Sequence, residues 1–518
     1  MSVFMMKKNF LFMGIGLAVM SFFAGCNCFD ESSIPAHKPN IIFIFADDMG
    51  WKGLSCYGNP HVQTPHIDQM AQEGIRFTSA YAAPMCSPSR AALLSGQYPA
   101  RVRITRALQG DDIASRAPWK KLQPLPPSPM LGFNQFTLGE ALKEAGYATA
   151  LLGKWHLGTE AGGSGYMIKD PKNIASIQEH YGFDIFDPGD AKQHDIDKGV
   201  TDLTDRAIAF IETHQEQPFF LFLSHHSVHT YCEAPEPIVQ KYLNKGFAPT
   251  GHYPYEGIAS ATYLAMIEHL DNETGRLLDK VKSLALDKNT VLVFMSDNGG
   301  VTRVTRNDPL CRGKATCYEG GVRIPLIIRQ PGMLRSGQTC DDPVHIIDIY
   351  PTFLELAGLT NTAVRQHLDG ESLVPVLQGT GSLAREDLFW HIPHYICYPL
   401  GGFRTTPHSA IRSGDYKLIE FFGDYFEYPP DANKNNLVFN PNLAKYIPEP
   451  KVELFNLKQD LAERNDLSAQ MPEKTKELLQ RLHKWHESVG AAIPVANPNY
   501  DPTASFVSTF IPDKVAGR

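Results

Sequence analysis

Positive charge is thinly spread in this chain of 518 residues: lysine and arginine total 48 against 56 aspartates and glutamates, a formal charge of −8. No basic block or stripe exists to track a phosphate backbone, which argues against nucleic acid as a partner. Cysteine is scarce, and nine in this length do not make a disulfide scaffold. Long apolar runs are missing beyond the N-terminus, and so is any internal repeat. What remains is a globular composition, 43% hydrophobic and 20% charged, long enough for one large and one small domain.

The first residues read as a targeting segment. Lys7 and Lys8 form a positive start, Phe10 to Phe23 an apolar stretch short for a membrane span, and Phe23-Ala24-Gly25-Cys26 resembles a bacterial lipobox. The expectation is a lipoprotein signal peptide over residues 1–25, a lipid anchor on Cys26 and a polar tether over 26–38. A plain secretory signal and an uncleaved anchor are the alternatives. Cleavage removes two lysines and no acids, leaving a charge of −10. The expected location is the bacterial cell envelope, periplasmic or surface-exposed, with secretion as the variant.

Four continuous apolar stretches read as strands buried on both faces of a parallel sheet: Asn40 to Ala46, Ala148 to Leu152, Pro218 to Leu223 and Thr290 to Ser296. Each ends in chemistry. Asp47 and Asp48 follow the first, Lys154 and His156 the second, His225, His226 and His229 the third, Asp297 and Asn298 the fourth. In open α/β sheets ligands bind beyond the carboxyl ends of strands. Paired acids there suit a hard cation. Strand alternation would turn Lys154 and His156 the same way. The three histidines suggest zinc, but oxygen ligands elsewhere in the set favour a harder ion.

Between the first two strands lies Met85-Cys86-Ser87-Pro88-Ser89-Arg90-Ala91-Ala92-Leu93-Leu94-Ser95-Gly96. Pro88 suits a first helical turn and Gly96 a stop, so Cys86 is expected just before a helix N-terminus. Free N–H groups and the helix dipole favour an anion at that place, and a thiol there could be an activated nucleophile.

The order Cys-x-Pro-Ser-Arg then Leu-Leu-Ser-Gly resembles the signature of the formylglycine-dependent (type I) sulfatases, arylsulfatase-like members of the alkaline phosphatase superfamily. Gly153-Lys154-Trp155-His156-Leu157-Gly158, Asp297-Asn298-Gly299-Gly300 and Gly313-Lys314 with Glu319 to Pro325 resemble further elements of that family, in its order. The resemblance implies an α/β fold with an alkaline-phosphatase-like mixed sheet flanked by helices, and a smaller α+β C-terminal domain built on a four-stranded antiparallel sheet. The catalytic domain is expected over 39–386 and the smaller one over 387–518.

It also implies that Cys86 is oxidised to formylglycine by a separate maturation enzyme, and that the aldehyde hydrate is the nucleophile. One Ca²⁺ would be held by Asp47, Asp48, Asp297, Asn298 and residue 86. Arg90 would hold the hydrate, Lys154 and Lys314 would neutralise sulfate oxygens, His229 would protonate the leaving oxygen, and His156 would take the proton that lets sulfate depart. The family's usual proline before the last histidine is Val228 here. With Cys26 and Cys86 set aside, seven cysteines remain, at least one unpaired, with Cys311 and Cys317 a candidate pair.

The function implied is hydrolysis of a sulfate monoester, a sulfated carbohydrate being the expected substrate. The C-terminal histidines give a faint resemblance to enzymes acting on sulfated galactose or N-acetylgalactosamine. Competing readings are a phosphonate or phosphodiester hydrolase of the same fold and a catalytically dead, lipid-anchored glycan-binding protein. Two helices are expected at Tyr263 to Leu278 and Glu473 to His486, with strands at Ser409 to Arg412, Tyr416 to Ile419 and Glu453 to Leu457. Ala117 to Pro129, His391 to His394 and Gly423 to Pro448 read as loops.

Overall fold

Apolar runs without alternation need cover on both faces, and the central strands have it. In the computed structural model, which describes residues 38–504 apart from 109–116, 167, 191–195, 250–258, 303, 331–335, 360–364, 398–403 and 428–444, every residue of the strand Asn40–Ala46 is buried. Ile41, Phe43 and Phe45 enter one apolar cluster, while Ile42, Ile44 and Ala46 enter a second on the opposite face. Each such side chain contributes about 1.5–3 kcal/mol by leaving water. The helices Cys86–Ser95, Leu138–Glu144 and Ile349–Leu356 feed the first cluster. Pro65–Glu73, Val200–His214 and Ala261–Ser283 feed the second.

The sheet runs Val344–His345, Ile75–Tyr81, Arg323–Arg329, Thr290–Ser296, Asn40–Ala46, Phe219–Ser224, Ala148–Gly153, Ile185–Asp187, with Gln338–Cys340 also on Ile75–Tyr81. Arg323–Arg329 is antiparallel to both neighbours and the other pairings are parallel, which makes the sheet mixed. The four strands read from the sequence are adjacent and level: Ala46 pairs with Ser296, Phe45 with Ser224, and Ser224 with Gly153.

The C-terminal antiparallel sheet has the order Asp387–Ile392, His408–Ser413, Tyr416–Phe421, Lys451–Asn456. The helix Pro472–Val489 buries Leu478, Leu482, Trp485 and Val489, with the Trp485 ring stacked on Phe389 at 4.7 Å.

Several expectations need correction. The nucleophile helix begins at Cys86 itself, with Met85 as N-cap, so Pro88 is its third residue. The strand carrying Lys154 stops at Gly153, and His156 has φ 58°, so no strand alternation aligns the two side chains. His391 and Ile392 are the end of a strand; His391 bonds to Ser409 Oγ and Ala492 O, and His394 to Thr105 Oγ1, so both histidines are buried in structure. The Pro-rich segment contains Leu122–Gln123, which pairs with Val495–Ala496. Tyr425–Glu427 pairs with Lys445–Ile447 inside the third expected loop, Gly423 to Pro448. Cys311 and Cys317 are both buried and form no disulfide with each other. The signal peptide and Cys26 lie outside the described residues. No helix among the described residues is long and apolar enough to cross a membrane.

Candidate active site

The level strand ends bring the sequence-distant groups together. Backbone bonds knit them: Asp297 N donates to Ala46 O (3.1 Å), His225 N to Phe45 O (2.9 Å), Lys154 N to Ser224 O (2.8 Å) and Asp47 N to Ser227 O (2.8 Å). Asp48 turns the chain at φ 63°, a left-handed conformation that aspartate tolerates better than bulky residues. The Cys86–Ser95 helix is buried along its whole length and delivers Cys86 and Arg90 from beneath.

Arg90 ties the strand ends to one another. Its Nη1 donates to Lys154 O (3.0 Å) and Ser224 Oγ (2.5 Å), and its Nη2 pairs with Asp297 Oδ2 at 3.3 Å. The Cys86 thiol donates to Asp47 Oδ1 at 3.3 Å. Lys154 Nζ donates to Asp47 Oδ2 at 2.5 Å, and Lys314 Nζ to Asp48 Oδ1 at 2.6 Å and Cys86 Sγ at 3.2 Å. His229 Nε2 lies 3.4 Å from Asp48 Oδ2. His156 Nε2 donates to Leu108 O at 3.2 Å, because a carbonyl can only accept; its Nδ1 is buried without a partner. Three carboxylates and three cationic side chains thus share a space where none is more than 5% exposed.

Burial dominates the titration of these groups. It pushes the Cys86 thiol well above its ordinary range, reinforced by Asp297 and Asp47. The expectation of an activated thiol finds no support here, since burial and the two carboxylates both favour the protonated sulfur. Burial also lowers His156 well below its usual value, with Lys154 and Arg90 adding to it, and takes His229 to about 4. His156 is a neutral imidazole with a free lone pair. Burial would raise Asp47, but Lys154, His229, Arg90 and Lys314 overrule it and hold this carboxyl low. Asp297 goes the other way, to about 7, through burial and then the Asp47 charge.

The cation expected from the sequence fits this donor set. Asp48 Oδ2 and Asn298 Oδ1 are buried with no hydrogen-bond partner, which is costly unless something positive meets them. Asp47, Asp48, Cys86 and His229 have ligand atoms within 4.8 Å of one another. Asn298 Nδ2 donates to Asp48 Oδ1 at 2.8 Å, which turns its Oδ1 away from that bond. Asp297 Oδ1 accepts from Asp48 N at 3.0 Å and so braces the ligand turn. Of the three histidines only His229 joins this group; His225 and His226 do not.

Two features escaped the sequence reading. Tyr166 places its ring 4.7 Å from Lys154 Nζ, 5.2 Å from the His156 ring and 5.7 Å from that of His229. It follows a glycine-rich loop with no periodicity to signal it. The segment bearing Lys314 is gripped from the C-terminal sheet. Cys317 N donates to His408 Nε2 (3.1 Å), Tyr318 OH to Glu453, and Glu319 N to Glu463 Oε2 (2.7 Å). The wholly buried Lys417 bridges Glu319 (2.9 Å) and Glu463 (3.0 Å). Arg323 bonds to Glu319, Thr78 O and Ser79 and so supports this segment.

Comparison with known proteins follows the same lines. Residues 39–359 match the sulfatase family profile, and residues 312–435 match the C-terminal profile of N-sulphoglucosamine sulphohydrolase. A sulfatase of Formosa agariphila is 30% identical over 509 residues, covering 84% of this chain and 85% of its own. The N-acetylgalactosamine-6-sulfatase of Canis lupus familiaris is 31% identical, covering 86% of this chain and 84% of its own. Among solved structures, Ps i-CgsB superposes with a TM-score of 0.65 at 24% identity, over 90% of this chain and 95% of its own.

Proposed function

The chain belongs to the sulfatase family and is a sulfuric ester hydrolase, and from that premise we propose that it releases inorganic sulfate from a sulfated carbohydrate, using a formylglycine made from Cys86 and one Ca²⁺. The observation that carries the reading is the pair of buried oxygens without a hydrogen-bond partner, Asp48 Oδ2 and Asn298 Oδ1, beside Asp47 and Cys86 at the strand ends. Asp47, Asp48, Asp297, Asn298 and residue 86 would hold the ion, which would supply positive charge for the nucleophile and the sulfuryl oxygens. An aldehyde hydrate at residue 86 would offer two hydroxyls on one carbon, one for attack on sulfur and one whose deprotonation would free the product.

This chain's own groups do the rest. Lys154 and Lys314 exchange part of their bonding to Asp47 and Asp48 for the sulfate oxygens, where charge builds in the transition state. His229 donates its Nδ1–H to Thr230 O, so its Nε2 first takes up a proton, which the negative charge of a bound sulfate ester favours, and then passes it to the departing oxygen. His156 offers its unpaired Nδ1 as the base for the second hydroxyl. Arg90 fixes the strand ends that carry Lys154 and Asp297. Membership in the same family as an enzyme named for N-acetylgalactosamine sulfate supports a sugar as the leaving group. The reading extends to a maturation enzyme acting on Cys86 and to a lipid anchor at Cys26 that keeps the enzyme in a bacterial envelope.

The test uses protein made in its own host. The mass of the peptide carrying Cys86 is measured, and release of nitrophenol from 4-nitrophenyl sulfate is compared with that from 4-nitrophenyl phosphate and a phenylphosphonate ester. An aldehyde with sulfate as the preferred ester is expected. An unmodified thiol in an active enzyme, or a preference for phosphorus esters, would overturn the proposal.

A further inference from the structure

We propose that Tyr166 receives the ring of the substrate's leaving group and so selects esters of cyclic alcohols, a pyranose foremost, over ring-free ones; this rests on the sulfatase reading above. The position of the acid compels a meeting. His229 is the group that protonates the leaving oxygen, so the carbon bonded to that oxygen lies within a few ångströms of its ring. The Tyr166 ring centre is 5.7 Å from the His229 ring and 5.1 Å from that of His226. Whatever is attached to the leaving oxygen therefore comes up against Tyr166.

The chemistry of the cluster points the same way. Asp47, Asp48, Cys86, Arg90, Lys154, His156, Asp297, Asn298 and Lys314 are all buried, whereas Tyr166 and His229 are partly exposed. These two line the approach among the described residues. Tyr166 brings a partly exposed aromatic ring to a set of charged and polar groups, the kind of surface on which the C–H face of a sugar packs. The Lys154 ammonium, 4.7 Å from the ring centre, leaves too little room for a sulfate group between them. The ester must seat its sulfate beside the ring, with the leaving group against it.

The ring is also held in place. His156 N donates to Gly165 O (2.8 Å) and Gly158 N to Ser164 O (3.1 Å), so the loop base is tied to the catalytic segment itself. Tyr166 N donates to Ser164 Oγ at 3.2 Å. Gly165 has φ +67°, and a Cβ there would lie 2.9 Å from Trp155 Cδ1, so only glycine lets the loop close onto the Trp155 indole.

The experiment compares matured wild type, Tyr166→Ala and Tyr166→Phe, with 4-nitrophenyl sulfate as substrate and inorganic sulfate as competitive inhibitor. Tyr166→Ala is expected to raise KM roughly five- to tenfold, the scale of one lost aromatic contact, with kcat changed less than about threefold. The inhibition constant of inorganic sulfate, which has no leaving group, stays within about twofold. Tyr166→Phe keeps the ring and recovers most of the KM. A parallel rise in KM and in the sulfate inhibition constant would mean that the ring only steadies Lys154, and would overturn the inference. So would an unchanged KM in Tyr166→Ala. Wild type that releases no sulfate would instead sink the reading beneath it.

Discussion

Lys417 of the C-terminal sheet reaches Glu319 at 2.9 Å, and Glu319 stands five residues beyond Lys314 on the same gripped segment. The small sheet thereby sets the position of a cation in the large one's active site. Removing Lys417 would leave Glu319 and Glu463 facing each other in a dry interior. Lys417→Met is expected to cost about 3–5 kcal/mol of stability, the usual penalty for half of a buried ion pair. Its kcat for sulfate release falls at least about tenfold while Lys314 loses its support. Denaturant titration and steady-state kinetics measure both. Adding Glu463→Gln to the same chain recovers part of the stability; no recovery would show that the network is not the cause.

Cation removal is the second test. Dialysis against a strong chelator is expected to abolish sulfate release, and Ca²⁺ to restore it. Excess Ca²⁺ also raises the melting temperature, since an ion bound only by the folded chain stabilises it by mass action. Asn298→Ala, which deletes one of the two unpartnered oxygens, shifts the Ca²⁺ concentration for half-maximal activity upward by about tenfold or more, on the scale of a lost interaction to a charged group. Activity indifferent to chelation would remove the cation from the site.

Acid sensitivity follows from histidines that are buried neutral, away from the cation site. His408 donates from Nδ1 to Thr406 O at 2.7 Å and accepts from Cys317 N at Nε2, so protonation would break the grip on the Lys314 segment. Burial lowers it from 6.5 to about 4. Between those values the unfolded chain binds a proton that the folded chain refuses, so stability is full above pH 6.5 and falls as the pH drops toward 4. The loss from this one group approaches about 3 kcal/mol at the lower end. His408→Gln is expected to flatten the dependence of the denaturation midpoint on pH over that window. An unaltered slope would count against this assignment.

Cys86→Ala tests the nucleophile with little cost to the fold. The side chain is wholly buried, and losing one sulfur costs about 1 kcal/mol on the scale of a buried methylene. Sulfate release is expected to vanish while the denaturation midpoint moves little. Residual turnover at the wild-type rate would refute the assignment.

The strands were legible because Asn40 to Ala46 and Thr290 to Ser296 carry no alternation, which leaves burial on both faces as the only solution, and their acids stand at the ends where parallel sheets bind ligands. The register that brings Asp47 level with Asp297 is a tertiary fact, yet the strand lengths implied it. Lys417 was not legible. It sits in Tyr-Lys-Leu-Ile-Glu-Phe on the same face as Ile419 and Phe421, but a lysine is almost never fully buried unless paired, and its partners Glu319 and Glu463 are far away in sequence. Tyr166 was hidden for another reason: a loop has no period, and the ring matters through neighbours sixty or more residues away in His226 and His229 or ten away in His156. The left-handed turn at His156 defeated the alternation rule applied to a segment that had already left its strand.

The side chain of Cys86 is 1% exposed, locked between the sheet and its own helix. Its surroundings are assembled from strands that are translated hundreds of residues apart, so the enclosure exists only once the chain is finished. The maturation proposed for Cys86 would therefore have to precede that closure, reaching the residue on an extended chain. Under that proposal, the activity of a preparation would scale with the fraction of chains reached in time.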